Sequence, residues 1–289
     1  MKAALLMRKK VMRKFCAFVL SHGRADNVIT IDTLKRQGYT GDVVVVIDDE
    51  DDQRVAYEEN FDNVEVFCKS DIASTFDEMC INPDRRTVVY ARNACFDIAK
   101  RLGYTHFVEL DDDYQDFQYR RVVNEKLMTE SFLNLDSVFD HMCDWLDECG
   151  AMSVAFAQGG DFIGGKSSAN FRHRCLRKAM NSFFCRTDRP FKFIGRINED
   201  VNTYTLLGSR GGLFLTVCDA MLVQRQTQKQ AGGMSDTYLD DGTYVKSFTT
   251  VMAMPSAVRV SMMGKHKRIH HKVMWNNCVP KILSESWKK

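Results

Sequence analysis

The chain has 289 residues, and its 40 Lys and Arg residues almost balance its 38 Asp and Glu residues. Apolar residues make up 45% and charged residues 27%, which is typical of a globular protein with a core of adequate size. None of the ten cysteines forms a Cys-x-x-Cys pair, which argues against a zinc ribbon or a thioredoxin motif. The apolar run at residues 3–7 is too short for a signal peptide or a membrane anchor, so we expect a cytoplasmic protein.

After a basic extension, residues 1–14, the first predicted element is a strand at residues 15–21, whose continuous apolar run is typical of burial on both faces. A short polar loop follows and leads into a helix that ends near Gln37, with Asp26 or Asn27 as its predicted cap. A strand, a polar loop and a helix start in this order favour a phosphate or nucleotide site. The loop residues concerned are Ser21, His22, Gly23 and Arg24.

The next segments alternate between strand and helix. Residues 42–47 predict a second buried strand that ends in an acidic run containing Asp48 and Asp49, and residues 53–60 and 64–67 predict a helix and a third strand. Such alternation is typical of a parallel sheet with helices on its faces. No Gly-x-Gly-x-x-Gly fingerprint is present, so a dinucleotide cofactor is not supported.

A helix is predicted at residues 88–102, with Arg92 and Asn93 in its first turns, and a fourth strand follows it. Three carboxylates, Asp111, Asp112 and Asp113, come directly after that strand. Ligands bind beyond the carboxyl ends of strands in open α/β sheets, and hard oxygen ligands suit Mg²⁺ or Mn²⁺. The alternative is an acidic turn that caps the next segment.

The second half of the chain is less regular. A helix is predicted at residues 132–148, strands at residues 152–157 and 213–217, and a helix at residues 236–252. The Gly-rich residues 158–168 formally match a P-loop, but they follow a late strand, so we interpret them as a mobile substrate loop. Glu199 and Asp200 lie at the predicted start of another helix, where capping is the alternative role for Asp200.

Two basic segments are candidates for contacts with nucleic acid phosphates, although a solvated face or an exposed strand edge would give the same pattern. Their cations are Arg172, Arg174, Arg177 and Lys178 in the first segment and Lys265, Lys267 and Arg268 in the second. The second segment also contains three candidate metal or phosphate ligands, His266, His270 and His271.

Taken together, these motifs resemble those of glycosyltransferases with the GT-A fold, over residues 15–271. Residues 18–27 (FVLSHGRADN), 109–113 (ELDDD) and 198–203 (NEDVNT) carry a narrower resemblance. They are similar to phage-type glycosyltransferases that are associated with TET/JBP base oxidation and modify hydroxymethylated pyrimidines in DNA. The resemblance implies an α/β, Rossmann-like fold with a mixed, mainly parallel sheet flanked by helices in one domain.

The same resemblance implies roles for the motif residues. The loop at residues 21–24 would hold the nucleotide, Asp48 or Asp49 would read the uracil or ribose, and Arg92 and Asn93 would lie beside the nucleotide sugar. Asp113 would bind Mn²⁺ or Mg²⁺, and Asp111 would touch the ribose or a metal-bound water, with Asp112 beside them. One of His266, His270 and His271 would complete the metal site, and Asp200, paired with Glu199, would be the base of an inverting reaction.

The expected reaction is transfer of a sugar from a UDP-sugar to the hydroxyl of a hydroxymethylated pyrimidine in DNA, with 5-hydroxymethylcytosine as the first choice. We expect residues 15–120 to form the nucleotide-sugar half, residues 121–272 the acceptor half and residues 273–289 a tail, in the host cytoplasm if a phage encodes the chain. The alternatives are a polysaccharide, lipid or protein acceptor, a non-catalytic nucleic-acid-binding protein, and a metal-dependent nuclease or nucleotidyltransferase.

Overall fold

In the computed structural model, which describes residues 13–80, 85–224, 234–263 and 267–278, strands and helices alternate through the first part of the chain. All but one of these elements lie close to the positions predicted from the hydrophobic pattern, and the short helix at Lys69–Ala73 was not predicted. The elements are β1 (Phe15–Leu20), α1 (Ile29–Arg36), β2 (Asp42–Asp48), α2 (Arg54–Asn60), β3 (Val64–Phe67), α3 (Lys69–Ala73), α4 (Val89–Arg101) and β4 (His106–Asp111).

The second part adds more strands than the sequence pattern predicted, because the β5–β6 hairpin, β9 and the β11–β12 hairpin lack a clear apolar period. Its elements are β5 (Tyr114–Val123), β6 (Lys126–Ser131), α5 (Leu135–Cys149), β7 (Ser153–Ala157), α6 (Ala169–His173), β8 (Cys175–Leu176), β9 (Phe183–Arg186), α7 (Glu199–Ser209), β10 (Phe214–Gln224), α8 (Met234–Ala253), β11 (Val258–Met263) and β12 (Arg268–Val273).

The main sheet has the strand order β3-β2-β1-β4-β9-β7-β10-β5-β6, with β8 paired to β10. Strands β1 to β4 run parallel, as do β7 and β10, while β9 is inserted antiparallel between β4 and β7. The predicted mixed, largely parallel sheet flanked by helices is therefore confirmed. Strands β11 and β12 form a separate two-stranded sheet.

Alternate residues of β1 enter two hydrophobic cores on opposite faces of the main sheet. Ala17 and Val19 pack into one core together with α5, and Cys16 and Phe18 pack into the other together with α4. β1 is therefore buried on both faces, as its continuous apolar run predicted. Within the described residues, no helix combines the length and the apolar character needed to cross a membrane.

Helix α1 begins differently from the prediction, which placed Asp26 or Asn27 at its cap. Its N-cap residue is Val28, and no side chain caps the helix there. Instead, the Thr30 backbone N–H donates to the Asp112 carbonyl at 3.2 Å, and the Thr30 hydroxyl donates to the Asp111 carbonyl at 2.6 Å. The start of α1 is therefore fixed by the end of β4, a contact that is distant in sequence.

Near the start of β4, Asp147 of α5 lies within ion-pair distance of four basic side chains, and Arg189 is the most distant of them at 3.8 Å. Asp147 accepts from Arg13 at 3.2 Å and from Nε2 of His106 at 2.9 Å, and it also pairs with Arg186. Although burial alone would raise the pKa of Asp147, the hydrogen bonds from His106 and Arg186 lower it to about 2. The ionised carboxylate therefore stabilises the folded state.

We expect Asp147→Asn to lower the free energy of unfolding by about 1–3 kcal/mol near neutral pH, since it loses hydrogen bonds to charged groups. The folded-state pKa of Asp147 lies below the usual Asp value, so its contribution is complete above about pH 5 and disappears as the pH falls toward 2. Urea unfolding across this range should show the two proteins converging. Asp188→Asn, which breaks an exposed pair with the same Arg186, should cost less than about 1 kcal/mol. A difference in unfolding free energy between Asp147→Asn and wild type that stayed constant with pH would contradict the lowered pKa of Asp147.

Candidate active site

The carboxyl ends of β1, β2 and β4 lie side by side at one edge of the sheet. Leu20, the last residue of β1, is aligned with Val46 of β2 and with Asp111 of β4. The polar residues that follow these strands therefore meet at this edge, as expected for a ligand site of an open α/β sheet. We call it the acidic edge, and its members are Ser21, Asp48, Asp111, Asp112 and Asp113.

The loop after β1 is fastened to the acidic edge through Asp112. The Ser21 hydroxyl donates to one carboxylate oxygen of Asp112 at 2.7 Å, and Arg24 donates to the other at 2.9 Å. Burial raises the pKa of Asp112, against the effect of Arg24 and Ser21. Tyr57 of α2 also supports the loop, because its hydroxyl accepts from the Arg24 backbone N–H at 2.8 Å. Asp112 thus holds the predicted nucleotide loop in place.

The two acids after β2 have different surroundings. Asp48 is buried between Nδ1 of His22 at 2.9 Å and the Lys69 ammonium at 2.8 Å. Burial would raise the pKa of Asp48, but these two partners bring it below its usual value, and the bond to Asp48 raises the pKa of His22. Asp49 accepts from the Lys69 backbone N–H at 2.8 Å, at the start of α3. The Asp51 carboxylate accepts a hydrogen bond from the Gly23 backbone N–H at 2.8 Å.

Arg92 of α4 lies at the centre of the site and is only 2% exposed. Its guanidinium donates to Asp111 at 3.1 Å and to Glu199 at 3.2 Å, and it lies 3.7 Å from Glu109. The guanidinium also lies over the ring of Phe183, 4.6 Å from its centroid. Despite burial, the surrounding carboxylates raise the pKa of Arg92, so it stays charged. Arg92 therefore joins the acidic edge to the start of α7.

Asn93, the neighbour of Arg92, has a positioning role in the structure. It is fully buried, and its amide donates to the Phe193 carbonyl at 3.0 Å and accepts from the Phe193 backbone N–H at 2.8 Å. Both polar atoms of its side chain are thus used to hold the segment that leads to α7. This segment turns at Gly195, where a Cβ atom would lie 2.4 Å from the amide nitrogen of Asn202.

Glu199 and Asp200 form the buried first turn of α7. Burial, followed by the neighbouring Asp200 charge, raises the pKa of Glu199 to about 7, and burial also raises the pKa of Asp200. One oxygen of Asp200 accepts from the Val201 backbone N–H at 2.7 Å. The preceding residue, Asn198, adopts a left-handed backbone conformation with φ of 55°. Such strain in a non-glycine residue is typical of functional segments that their surroundings hold in place.

Residues 15–233 of the chain match the sequence profile of a family described as TET-associated glycosyltransferases. The match covers most of the chain and contains the acidic edge, Arg92, Glu199 and Asp200. The chain belongs to the TET-associated glycosyltransferase family.

Two solved structures similar to this glycosyltransferase are complexes of glucosyl-3-phosphoglycerate synthase from Mycobacterium tuberculosis. One holds Mn²⁺, UDP-glucose and phosphoglyceric acid, with 10% identity, a TM-score of 0.47, and coverage of 91% of this chain and 87% of that chain. The other holds Mn²⁺, UDP and glucosyl-3-phosphoglycerate, with 11% identity, a TM-score of 0.44 and the same coverage. No curated protein sequence matches the chain. The family assignment therefore depends on the profile match.

The acidic edge of this glycosyltransferase has the donor chemistry that a divalent cation requires. Burial, followed by the charges of Asp111 and Asp112, raises the pKa of Asp113 to about 7. A divalent cation would relieve this repulsion, and carboxylate oxygens suit Mn²⁺ or Mg²⁺. Among the residues that the structure describes, no three His, Cys, Asp or Glu side chains are gathered closely enough to hold a metal by themselves. Asp111 and Asp113 are the residues of the acidic edge that could hold such a cation.

The predicted histidine ligands lie in the C-terminal part of the chain. His270 and His271 are neighbours on β12, with ring centroids 4.2 Å apart. Burial, followed by the neighbouring His270 and Lys246, lowers the pKa of His271 to about 4, so its imidazole is neutral near physiological pH. The third candidate, His266, lies outside the described residues.

The predicted DNA-contacting cations fall into two groups. Arg172, Arg174 and Arg177 are exposed, as are Lys267 and Arg268, whereas Lys265 lies outside the described residues. Arg174 pairs with Asp219 and lies over the ring of Phe171. Lys178 differs, because its ammonium lies 2.5 Å from the buried Asp161. Its charge also offsets part of the rise that burial causes in the pKa of Asp200. The structure thus relates Lys178 to the proposed base.

Some site residues were not predicted from the sequence. Lys246 of α8 interacts electrostatically with Asp200 and Glu199, and burial lowers its pKa to about 8. Lys69 and Tyr57 hold parts of the nucleotide loop region, as described above. Each of these residues lies inside a helix in which Lys and Tyr are ordinary, so no spacing signal marks them.

We expect Arg92→Ala to lower the free energy of unfolding by about 3–5 kcal/mol, because it leaves buried carboxylates without their cation. Urea unfolding near neutral pH measures this change. The matched control is Arg101→Ala on the same helix, which breaks an exposed pair with Glu65 and should cost less than about 1 kcal/mol. Equal losses in the two variants would contradict a central role for Arg92.

Proposed function

We propose that this protein transfers a sugar from a UDP-sugar to the hydroxyl of a hydroxymethylated pyrimidine in DNA, with 5-hydroxymethylcytosine as the acceptor to test first. The observation that carries this proposal is the bridge made by Arg92 between Asp111 of the acidic edge and Glu199 beside Asp200. This bridge would hold a donor site and a base next to each other. Membership of the TET-associated glycosyltransferase family supports both the reaction class and a modified base as acceptor.

In this proposal the nucleotide binds to the loop after β1. His22, Gly23 and Arg24 contact the acids that follow β2 and β4, and Asp48 would read the uracil or ribose. Asp111 and Asp113 would hold Mn²⁺ or Mg²⁺. When bound, the cation would neutralise charge on the departing diphosphate.

Asp200 is the proposed base. It would take the proton from the acceptor hydroxyl as that oxygen attacks the anomeric carbon from the face opposite the leaving group, which inverts the configuration. Its raised pKa strengthens it as a base, and Lys178 and Lys246 nevertheless favour the ionised form. Glu199 shares the buried site, and Arg92 compensates its charge.

A hydroxymethyl group on a DNA base is reached most directly when the nucleotide is turned out of the helix. The exposed Arg172, Arg174 and Arg177 near α6 are proposed to contact phosphates, together with Lys267 and Arg268. Binding that depends on such contacts weakens as salt is added.

The test is a panel of UDP-sugars with Mn²⁺ and DNA that either contains or lacks 5-hydroxymethylcytosine, followed by mass spectrometry of the nucleosides. We expect a mass gain of one sugar on the modified base alone. UDP release without a modified nucleoside would retain the transferase and reject this acceptor. Absence of UDP release with every donor would reject the proposed reaction.

Two substitutions separate the donor site from the base. Asp113→Ala should abolish metal-dependent turnover of the UDP-sugar, and Asp200→Asn should leave donor binding intact while slowing transfer by about 10²–10⁴-fold. Donor binding is measured by calorimetry and transfer by the nucleoside assay. Asp52→Asn, which changes an exposed acid after β2, is the control and should behave as wild type. A near-normal transfer rate for Asp200→Asn, or retention of anomeric configuration, would show that the base is misassigned.

For DNA binding, we expect a linear fall of log affinity with log salt concentration. Replacing Arg172 and Arg177 together by Gln should reduce the slope on duplex DNA by about 0.9 for each phosphate that the protein no longer neutralises. Fluorescence anisotropy at several salt concentrations measures the slope. The control is Arg101→Gln, whose side chain pairs with Glu65 at the opposite edge of the sheet. A slope unchanged by the double substitution would exclude these two cations from the interface.

A further inference from the structure

The C-terminal part of the chain has a one-sided charge pattern. Neither Asp nor Glu occurs between Asp241 and Glu285. The cations in this stretch are Lys246, Arg259, Lys265, Lys267, Arg268, Lys272 and Lys281. A stretch with many cations and no acid is the electrostatic pattern expected of a surface that meets a polyanion.

The part of α8 that follows the kink at Gly242 has its polar and apolar faces reversed. Its buried residues include Ser247, which is 2% exposed, and Thr250, which is fully buried. Its exposed residues include Tyr244 at 58%, Phe248 at 38% and Met252 at 56%. Since these three lie four residues apart, they form one stripe along the helix surface. An exposed apolar stripe of this kind marks an interaction site.

Tyr244 and Phe248 are arranged as a pair of aromatic faces. Their ring centroids lie 5.7 Å apart, and the ring planes differ by only 11°. Nearly parallel exposed rings offer π faces on which a nucleic acid base can stack. A lipid surface or an apolar protein face requires no such ring orientation.

The β11–β12 hairpin, which packs against α8, carries further exposed cations. Arg259 and Lys272 lie directly opposite each other in the hairpin, and both are exposed. Like charges at facing positions destabilise a strand pair, and a phosphate group would remove that repulsion. Lys267 and Arg268 are exposed at the other end of the hairpin.

The opposite, buried face of α8 contacts the segment that carries the proposed base. The side-chain amide of Asn198, the residue before Glu199, donates to the Lys246 carbonyl at 2.6 Å and to the Thr250 hydroxyl at 3.0 Å. A DNA strand held on the exposed face of α8 would therefore be separated from the start of α7, where Asp200 lies, by about one helix diameter, roughly 10–12 Å.

We propose that Tyr244 and Phe248 form a stacking platform for the bases of single-stranded or locally opened DNA, and that the β11–β12 cations hold its phosphates. This inference rests on the proposed function, because it gives that reaction a place for the opened strand. The platform would keep bases beside the acceptor out of the double helix while the hydroxyl approaches Asp200.

The test compares the wild type with the double variant Tyr244→Leu and Phe248→Leu, which keeps apolar area but removes both aromatic rings. Fluorescence anisotropy with a short labelled single strand should show affinity falling about ten-fold or more, since stacking is removed. The control is Val245→Ala, which changes an exposed apolar residue of the same helix and should bind as wild type. Thermal unfolding and UDP binding verify that each variant is folded.

A second double variant, Arg259→Gln with Lys272→Gln, tests the charges. Its log affinity for the single strand should fall less steeply with log salt, by about 0.7 for each phosphate that the hairpin no longer neutralises. An unchanged slope would exclude the hairpin from the interface.

Sugar transfer to DNA containing 5-hydroxymethylcytosine is measured on the same samples. If the wild type transfers sugar and the double Leu variant binds the single strand equally well, the platform is wrong and the proposed function stands. If the wild type transfers no sugar but the double Leu variant loses strand binding, the platform stands and the proposed function fails. Wild-type binding to phosphatidylglycerol vesicles, or a stable dimer, with no binding to the single strand would overturn the platform in favour of a lipid or a second copy.

Discussion

The site depends on one buried cation among carboxylates. Arg92 is surrounded by Glu109, Asp111 and Glu199, which come from two elements distant in sequence, β4 and α7. Burying these carboxylates side by side, away from water, is unfavourable unless a well-positioned positive charge compensates them. The guanidinium meets this requirement with donors in a fixed plane, and Phe183 supports that plane from one side. The position of α7, and with it that of Asp200, therefore follows from the position of α4.

The acidic residues around Arg92 fall into two groups, which differ in whether their oxygens bind other parts of the protein. Asp112 and Asp49 use their oxygens to bind the protein itself, one at the loop after β1 and the other at the start of α3. Asp113 remains in a cluster of like charge whose repulsion raises its pKa. Within the run after β4, Asp112 thus supports the loop after β1, whereas Asp113 adds negative charge that would favour a cation.

Helix α8, in the C-terminal part of the chain, has an unusual distribution of polar and apolar residues. It buries hydroxyl groups against the site and leaves aromatic rings outside, which is the reverse of an ordinary surface helix. On the buried side, the Lys246 carbonyl and the Thr250 hydroxyl accept hydrogen bonds from the side-chain amide of Asn198. These bonds hold the left-handed backbone of Asn198 in place. The exposed side carries the platform proposed for DNA. In this proposal, one helix both supports the base and contacts the acceptor.

The sequence by itself determined the first four strands, the helices between them apart from α3, and the edge where their polar ends meet, because continuous apolar runs are local signals. It also indicated the acids of that edge and Asp200. Only the tertiary structure decided how each is used: Asn93 is directed to Phe193, and Lys178 to Asp161. The hairpins were missed because their strands are largely exposed and lack an apolar period, and Lys246 was missed because its partners lie far along the chain. Hydrophobic period reports which face of an element is covered, whereas the partners of a polar side chain depend on long-range packing.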